Sequence, residues 1–575
     1  MKRNAIAALA AAVLLAAAFP CAGTEFMAPD EVKPGMKGKG LSVFRGTAAE
    51  EFGVEILGVL KKRIAGIDLI LARLSGMGLE ESGTVAGMSG SPVYVDGKMI
   101  GAVAYAWGFQ KEPICGITPI TEMLKVLDGG DGGTGGGFPG GADARGQGSG
   151  SGAAELAPIP TPVSLGGFTA AGESRMREAL APFGMFPVRL GGEAGAGAAQ
   201  YGDAGDLQPG SAVSVPLVTG DLYMGAVGTV TYREGDRVLA LGHSFFNMGP
   251  VELPMGGAVV HSVMPSYSRS FKLASPTPPV GALIADRLAA VMGVFGVKVP
   301  MIPARLTVKS PDMKEPETLN IEVVRNDLLS AWLLYGAAYD AFARSVGELG
   351  EATVSVTVRG SIEEHPAPFV FRDAYFYIGE VFFVDVLEHL TTLAFNRFRK
   401  VRIKDLEVEV KAERAIKLAT VEGLTASGRM FHPGDTVELN VRLLRYDGGE
   451  RVEKLSIEIP RDAAPGAVTV TVTGGEGLGY PSKVPPADFE QFYSRMNEWI
   501  PADTIQAKLV FAGKTPGVEG EELRDLPGSV EQVLMLGGAD TVKMVENSVE
   551  KLFPQDEIIR GAAKIQIVIE KEFGQ

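Results

Sequence analysis

Between Asp128 and Ala153 the chain reads GGDGGTGGGFPGGADARGQGSGSG, with 13 glycines in 24 residues, and no packed element can be carried across it. Glycine loses more backbone entropy on ordering than any other residue, and this stretch has almost no apolar surface to offset the loss. It is expected to be a tether. Treated as a flexible coil it would span about 25–30 Å, from roughly 5–6 Å times the square root of its length. A chain of 575 residues also exceeds what one hydrophobic core organises. A prior of about 100–200 residues per domain predicts roughly three to five units.

The segments flanking the tether read as β structure. Residues 24–128 break into short runs such as EFGVEILGVL, DLILARLSG and KMIGAVAYA, punctuated by glycine or Asp-Gly, and predict a first β lobe ending in a helical turn at TEMLKVL. With 129–160 taken as linker, a second β lobe is expected over 161–308 from SAVSVPLV, YMGAVGTVTY, DRVLALGH, GGAVVHSVM and ARLTVK, with a helix at ESRMREALAPFG. Residues 309–420 mix two predicted helices, about 326–346 and 379–398, with long β runs. An immunoglobulin-like β-sandwich is expected over 421–480, where alternating strands are broken by Pro-Gly and Asp-Gly. The C-terminal region, 481–575, reads as mixed α/β, with helices at DFEQFYSRMNEWI and DTVKMVENSVEKLF and a final strand KIQIVIE.

The first 23 residues, MKRNAIAALAAAVLLAAAFPCAG, join a basic start to an apolar run from Ala5 to Phe19. That run is shorter than the roughly 20 residues that cross a bilayer, and it predicts a signal peptide cleaved near Ala22 or Gly23 and a periplasmic or secreted protein. Ala-Phe-Pro before Cys21 is bulkier than a lipidation site tolerates. Once the leader is gone, Cys115 is the one remaining thiol and no intramolecular disulfide can form. The most apolar later segment, GALIADRLAAVMGVFGVKVPMI, is broken by Asp286, Arg287 and Lys298, so no further membrane span is expected. The 54 basic and 69 acidic side chains give a net charge of −15, which becomes −17 without Lys2 and Arg3. Nucleic acid is excluded as a partner on that ground, because phosphate binding needs a basic surface.

The chemistry concentrates in GTVAGMSGSPVYVDGKMIGAVAYAW, residues 83–107. Ser89 stands among glycines, Pro92 opens a strand, and Asp96-Gly97 predicts a tight hairpin turn, since both of its residues take positive φ. A Gly-x-Ser-x-Gly elbow is excluded, because Ser91 occupies its fifth position and no βαβ pattern surrounds it. A serine hydroxyl is a weak nucleophile and needs a base. No histidine precedes His243, which ends the apolar strand RVLAL as Gly242-His243-Ser244 at a lobe edge. The other four are weaker candidates: His261 sits inside AVVHSVM, His365 and His432 precede prolines, and His389 follows Asp385 by four residues as a solvated helical pair. His-Glu-x-x-His is absent, and the linker glycines precede no Gly-Lys-Ser/Thr and open no helix, so neither a metal nor another cofactor is expected.

GMSGSPVYVDGKMIGAV, with GITPITEML after it, resembles the serine segment of the SpoIVB-type peptidases, a chymotrypsin-like serine peptidase family. GTVTYREGDRVLALGHSF and VGALIADRLAAVMGVFG are similar to that family's histidine segment, although here they follow the serine segment, as in a circular permutation. The resemblance covers residues 36–128 and 208–300. It implies a mainly β, two-lobed chymotrypsin-like β-barrel peptidase with permuted lobe order, followed by β-sandwich and mixed α/β accessory domains. It also implies an exported serine endopeptidase cutting protein or peptide substrates, slow or self-processing, with Ser89 as nucleophile, His243 as base, and the N–H groups of Gly87 and Ser89 as the oxyanion hole. The family's acid lies upstream of the serine, where this chain has Leu74 and Ser75. Asp286 is the candidate third member, with Asp68 and Asp236 behind it. That missing carboxylate supports the alternative expectation, a catalytically inactive peptidase-like scaffold whose accessory domains bind an envelope protein.

Overall fold

The computed structural model describes residues 24–129, 156–190, 206–327, 329–346, 350–378, 384–481, 484–518 and 542–570, with a few short stretches between 520 and 534. The expected leader and nearly all of the glycine-rich run lie outside the described residues. Six strands follow the first-lobe pattern: β1 (Lys37–Ser42), β2 (Glu50–Ile64), β3 (Ile67–Ser75), β4 (Pro92–Val95), β5 (Lys98–Trp107) and β6 (Ile114–Pro119). They pair in the order β4-β1-β2-β3-β6-β5, and β4 also pairs with β5, which closes a barrel. The β4–β5 hairpin turns on Asp96 (φ 50°) and Gly97 (φ 79°), as that dipeptide predicts. Alternation then sends Val54, Ile56, Ile70, Ala72, Val93, Val103 and Ile117 into one core.

Part of the expected linker is ordered. Residues Leu156–Pro158 form β7, an extra strand on the first barrel, paired with β5 alone. After it come β8 (Thr161–Gly166), β9 (Met185–Arg189), β10 (Ala212–Gly220), β11 (Tyr223–Glu234), β12 (Arg237–Ala240), β13 (Gly249–Met264), β14 (Phe271–Arg287) and β15 (Ala290–Phe295). Six of these form a second closed barrel in the order β10-β13-β14-β15-β12-β11, with β10 returning to β11. The molecule is mainly β, and its first half is a pair of closed barrels, as expected of a chymotrypsin-like arrangement.

The second barrel's sheet runs on through Met301–Lys309 and Glu317–Val324 to Ile403–Glu413, Ala352–Ile362 and His365–Tyr377. Helices Leu329–Val346 and Val384–Ala394 lie where they were expected and share its core. The C-terminal sandwich extends past its expected end. Leu418–Ala426, Thr436–Arg445 and Gly466–Gly474 share one core with Thr504–Val518 and Ala562–Ile569, which come from the range expected to be a separate α/β region. DTVKMVENSVEKLF, expected to be a helix, is instead the strand Val542–Pro554, antiparallel to Thr504–Val518. Its apolar Val545, Val549 and Phe553 recur every four residues, a spacing that suits one face of a helix and one face of a strand equally. The long partner strand decides between them. Among the described residues no helix is long and apolar enough to cross a membrane.

Candidate functional site

Ser89 lies in the loop between Val85 and Pro92, and the second barrel clamps that loop. Its carbonyl accepts from the N–H of Thr229 at 2.8 Å, while the hydroxyls of Thr229 and Thr231 donate to the carbonyls of Gly87 and Gly90, each at 2.8 Å. Gly90 (φ +96°) can only be glycine, because a Cβ there would sit 1.9 Å from the Thr229 carbonyl oxygen. Gly87 also takes positive φ, +95°. Loop hydrogen bonds use the N–H of Met88, Gly90 and Ser91, but among the described residues the N–H groups of Gly87 and Ser89 meet no acceptor. Two unspent amides, the serine's own and that of the residue two before it, are what an oxyanion hole requires.

The second barrel brings His243 to the same place. Thr229, which holds Ser89 through its N–H, accepts the N–H of Leu241 at 3.2 Å, and two residues later the imidazole enters the cleft beside Tyr105 of β5. Gly242 fits flat against Ala102 and Ala104 of β5, and its carbonyl accepts the Thr118 hydroxyl at 2.5 Å. His243 Nδ1 lies 2.7 Å from the Ser244 carbonyl. A carbonyl only accepts, so Nδ1 carries the proton and Nε2 presents a lone pair. Nε2 is buried and, among the described residues, has no hydrogen-bond partner. Burial lowers the pKa of the ring below its usual 6.5. The structure thus brings the Ser89 loop and the chain segment bearing His243 to the meeting of the two barrels, with no hydrogen bond joining the two side chains.

Asp286 does not meet the imidazole. It lies near the end of β14 rather than on a helix, fully buried. Its Oδ1 accepts the N–H of Phe245 at 2.7 Å and its Oδ2 that of Phe246 at 2.6 Å, with Asn247 and Met248 also donating. Burial pushes this carboxyl above its usual pKa against the pull of those four amides. What it fixes is the turn directly after Ser244, and so the carbonyl that orients the histidine. Asp286→Asn would face an amide NH₂ toward those N–H donors. Its unfolding free energy is expected to fall by about 2–4 kcal/mol, the scale for losing charged hydrogen bonds in a buried network. Urea unfolding checks this, and an unchanged midpoint would remove the positioning role.

The other carboxylate candidates stand elsewhere. Asp68 pairs with Lys61 on the barrel's outer side, Asp236 sits in the turn before β12, and Leu74 lies buried in the first core. His261 Nε2 meets the Ser275 hydroxyl at 2.8 Å. His365 pairs with Glu490, and His432 lies near Asp435. His389 is buried rather than solvated: it stacks on Tyr480, whose hydroxyl is 2.5 Å from Nδ1, and its pKa falls to about 3. Its neighbourhood, formed by Phe369 and Phe371, was not visible in a local spacing.

Sequence reasoning missed Lys272. It points inward from β14, 1% exposed, and its stem passes within about 3.3 Å of where a Cβ on Gly87 would sit. Its Nζ donates to the Ser42 hydroxyl at 2.9 Å and the Thr229 hydroxyl at 3.2 Å, and Ser91 joins Ser42 at 2.9 Å. Among the described residues no carboxylate pairs with it. Burial brings its ammonium down to about 7. A single lysine in FKLAS gives no local signal, since its burial depends on both barrels.

A groove of about 950 Å³ runs between the barrels, lined by Ser82–Thr84, Ala106–Gln110, Ala157–Thr161, His243–Asn247 and Ser266–Phe271 among others. Residues 21–124 match the family described as SpoIVB peptidase S55. No curated protein and no solved structure matches the chain. The matched residues contain β1 to β6, the Ser89 loop and the open amides of Gly87 and Ser89, and they end before His243. Over this serine-bearing barrel the chain is similar to the SpoIVB-type serine peptidase family.

Proposed function

We propose that the protein is an exported endopeptidase in which Ser89 attacks the scissile carbonyl. His243 takes the hydroxyl proton through Nε2 and returns it to the leaving amine. The N–H groups of Gly87 and Ser89 hold the negative oxygen as it forms. One observation supports the reading: among the described residues the N–H groups of Gly87 and Ser89 meet no acceptor, and Thr229, whose N–H holds the Ser89 carbonyl, also accepts from Leu241, two residues before a histidine whose Nε2 has no partner. The gap between the two side chains is compatible with a site that tightens around its substrate. The Ser244 carbonyl takes the orienting role that a carboxylate has in a triad, without the carboxylate's charge. Export rests on the leader-like composition of residues 1–23.

The second reading is an inactive scaffold that binds an envelope protein, favoured by the lack of any carboxylate at Nδ1 among the described residues. A fluorophosphonate probe separates the two, because only an activated serine reacts quickly. Labelling of the folded protein is expected, and none in Ser89→Ala. An unlabelled wild type, or labelling that persists in Ser89→Ala, would overturn the peptidase reading.

A further inference from the structure

The chain itself lies across the candidate site. On one edge, β5 pairs Lys98–Ala102 with β4, and β4 ends at Pro92, where the chain turns away to form the Ser89 loop. The rest of that edge, from Ala104 to Trp107, would be left with open backbone groups. β7 fills it: Leu156, Ala157 and Pro158 stand antiparallel to Trp107, Ala106 and Tyr105. The ladder continues one residue further, where the Ile159 N–H donates to the Ala104 carbonyl at 2.8 Å. The Ile159 carbonyl then lies 3.5 Å from Ser89 Oγ, the one hydrogen-bond partner of that hydroxyl among the described residues. The Ile159 side chain is 2% exposed and belongs to the same buried cluster as Val85, Ala86, Met88 and Cys115.

We propose that Leu156–Pro160 occupies the peptide-binding groove as an internal pseudosubstrate. Substrates then bind as an extended strand along Ala104–Trp107, with a mid-sized apolar residue in the Ile159 pocket, and only after this segment leaves. The inference rests on the peptidase reading for the word substrate, but the occupancy stands on the pairing alone. A peptide laid on a sheet edge gains affinity from backbone hydrogen bonds and selectivity from alternate side-chain pockets. Both features are present: Ile159 is buried, whereas Pro158, on the opposite face, is exposed. The pocket walls are apolar, so a charged side chain at that position would be buried without a partner. The residue after Ile159 is Pro160, so the bond presented to Ser89 is a tertiary amide whose nitrogen carries a ring.

The test uses Ala157→Pro in the full chain. Antiparallel alternation makes Ala157 and Ala106 the next pair to exchange hydrogen bonds after Ile159 and Ala104, and proline there removes an N–H without touching either barrel core. Fluorophosphonate labelling of Ser89 is expected to quicken at least tenfold, with the melting temperature within a few degrees of wild type. Equal labelling rates in both proteins would overturn the inference while leaving the peptidase reading intact. A second measurement does not depend on catalysis. In a Ser89→Ala background, a fluorescent acetyl-Leu-Ala-Pro-Ile-amide peptide is expected to bind at least tenfold more tightly when Ala157→Pro is also present. Equal affinity with and without Ala157→Pro would overturn the occupancy even if no probe ever labels Ser89.

Discussion

Replacing His243 with alanine is expected to slow fluorophosphonate labelling of Ser89 by about three orders of magnitude or more, the scale for losing the base of a serine nucleophile. The fold should survive. Among the described residues the imidazole makes one hydrogen bond, to the carbonyl of Ser244, and its buried Nε2 has no partner, so truncation removes a single donor from a half-buried carbonyl. His261→Ala serves as the control, because that ring meets Ser275 on the second barrel. The pH profile carries the same assignment. Burial lowers the His243 pKa below 6.5, so the base form persists to lower pH than in a free histidine. The acid limb of kcat/KM should therefore fall below pH 6.5. Labelling unchanged in His243→Ala, or an acid limb above pH 7, would move the base elsewhere.

Lys272 should dominate the alkaline side of the stability profile. Its pKa is about 7 in the folded protein against its usual 10.5, so between those values the unfolded chain holds a proton that the folded one has released. Stability then rises with pH through that window and is lost as pH falls toward 7. The full span is on the order of 4–5 kcal/mol, from 1.36 kcal/mol per unit. Urea unfolding between pH 6.5 and 10 is expected to show this rise in wild type and a flatter profile in Lys272→Met, and the difference between the two isolates the group. Parallel profiles would mean that the lysine stays charged when folded. Methionine also deletes the bonds to Ser42 and Thr229 beneath the Gly87 carbonyl, so labelling at Ser89 should slow even where stability improves.

Much of the fold was legible because the relevant signals are local. Asp96-Gly97 specified a hairpin since both residues adopt positive φ, and the alternation in DLILARLSG specified a half-buried strand. The histidine at the end of β12 and the serine after Gly87 could also be named from spacing, because a loop chemistry of glycine, serine and proline has few structural uses. Val542–Pro554 was misread because its four-residue spacing satisfies both periods, and only the partner strand resolves them.

By itself the sequence determined most of the elements, the glycine-rich loop that carries Ser89, the strand end that carries His243 and the glycine-rich run between the two segments. These follow from backbone sterics and hydrophobic period, which act over a few residues. Tertiary structure decided which groups meet. Asp286 lies 43 positions after His243, yet it binds the turn that follows the histidine rather than the ring, because β13 and β14 bring it there. The pKa of Lys272 is lowered by burial that only two closed barrels create. Ile159 reaches Ser89 because β4 leaves the edge of β5 unfilled, and an unfilled edge takes whichever strand the chain supplies.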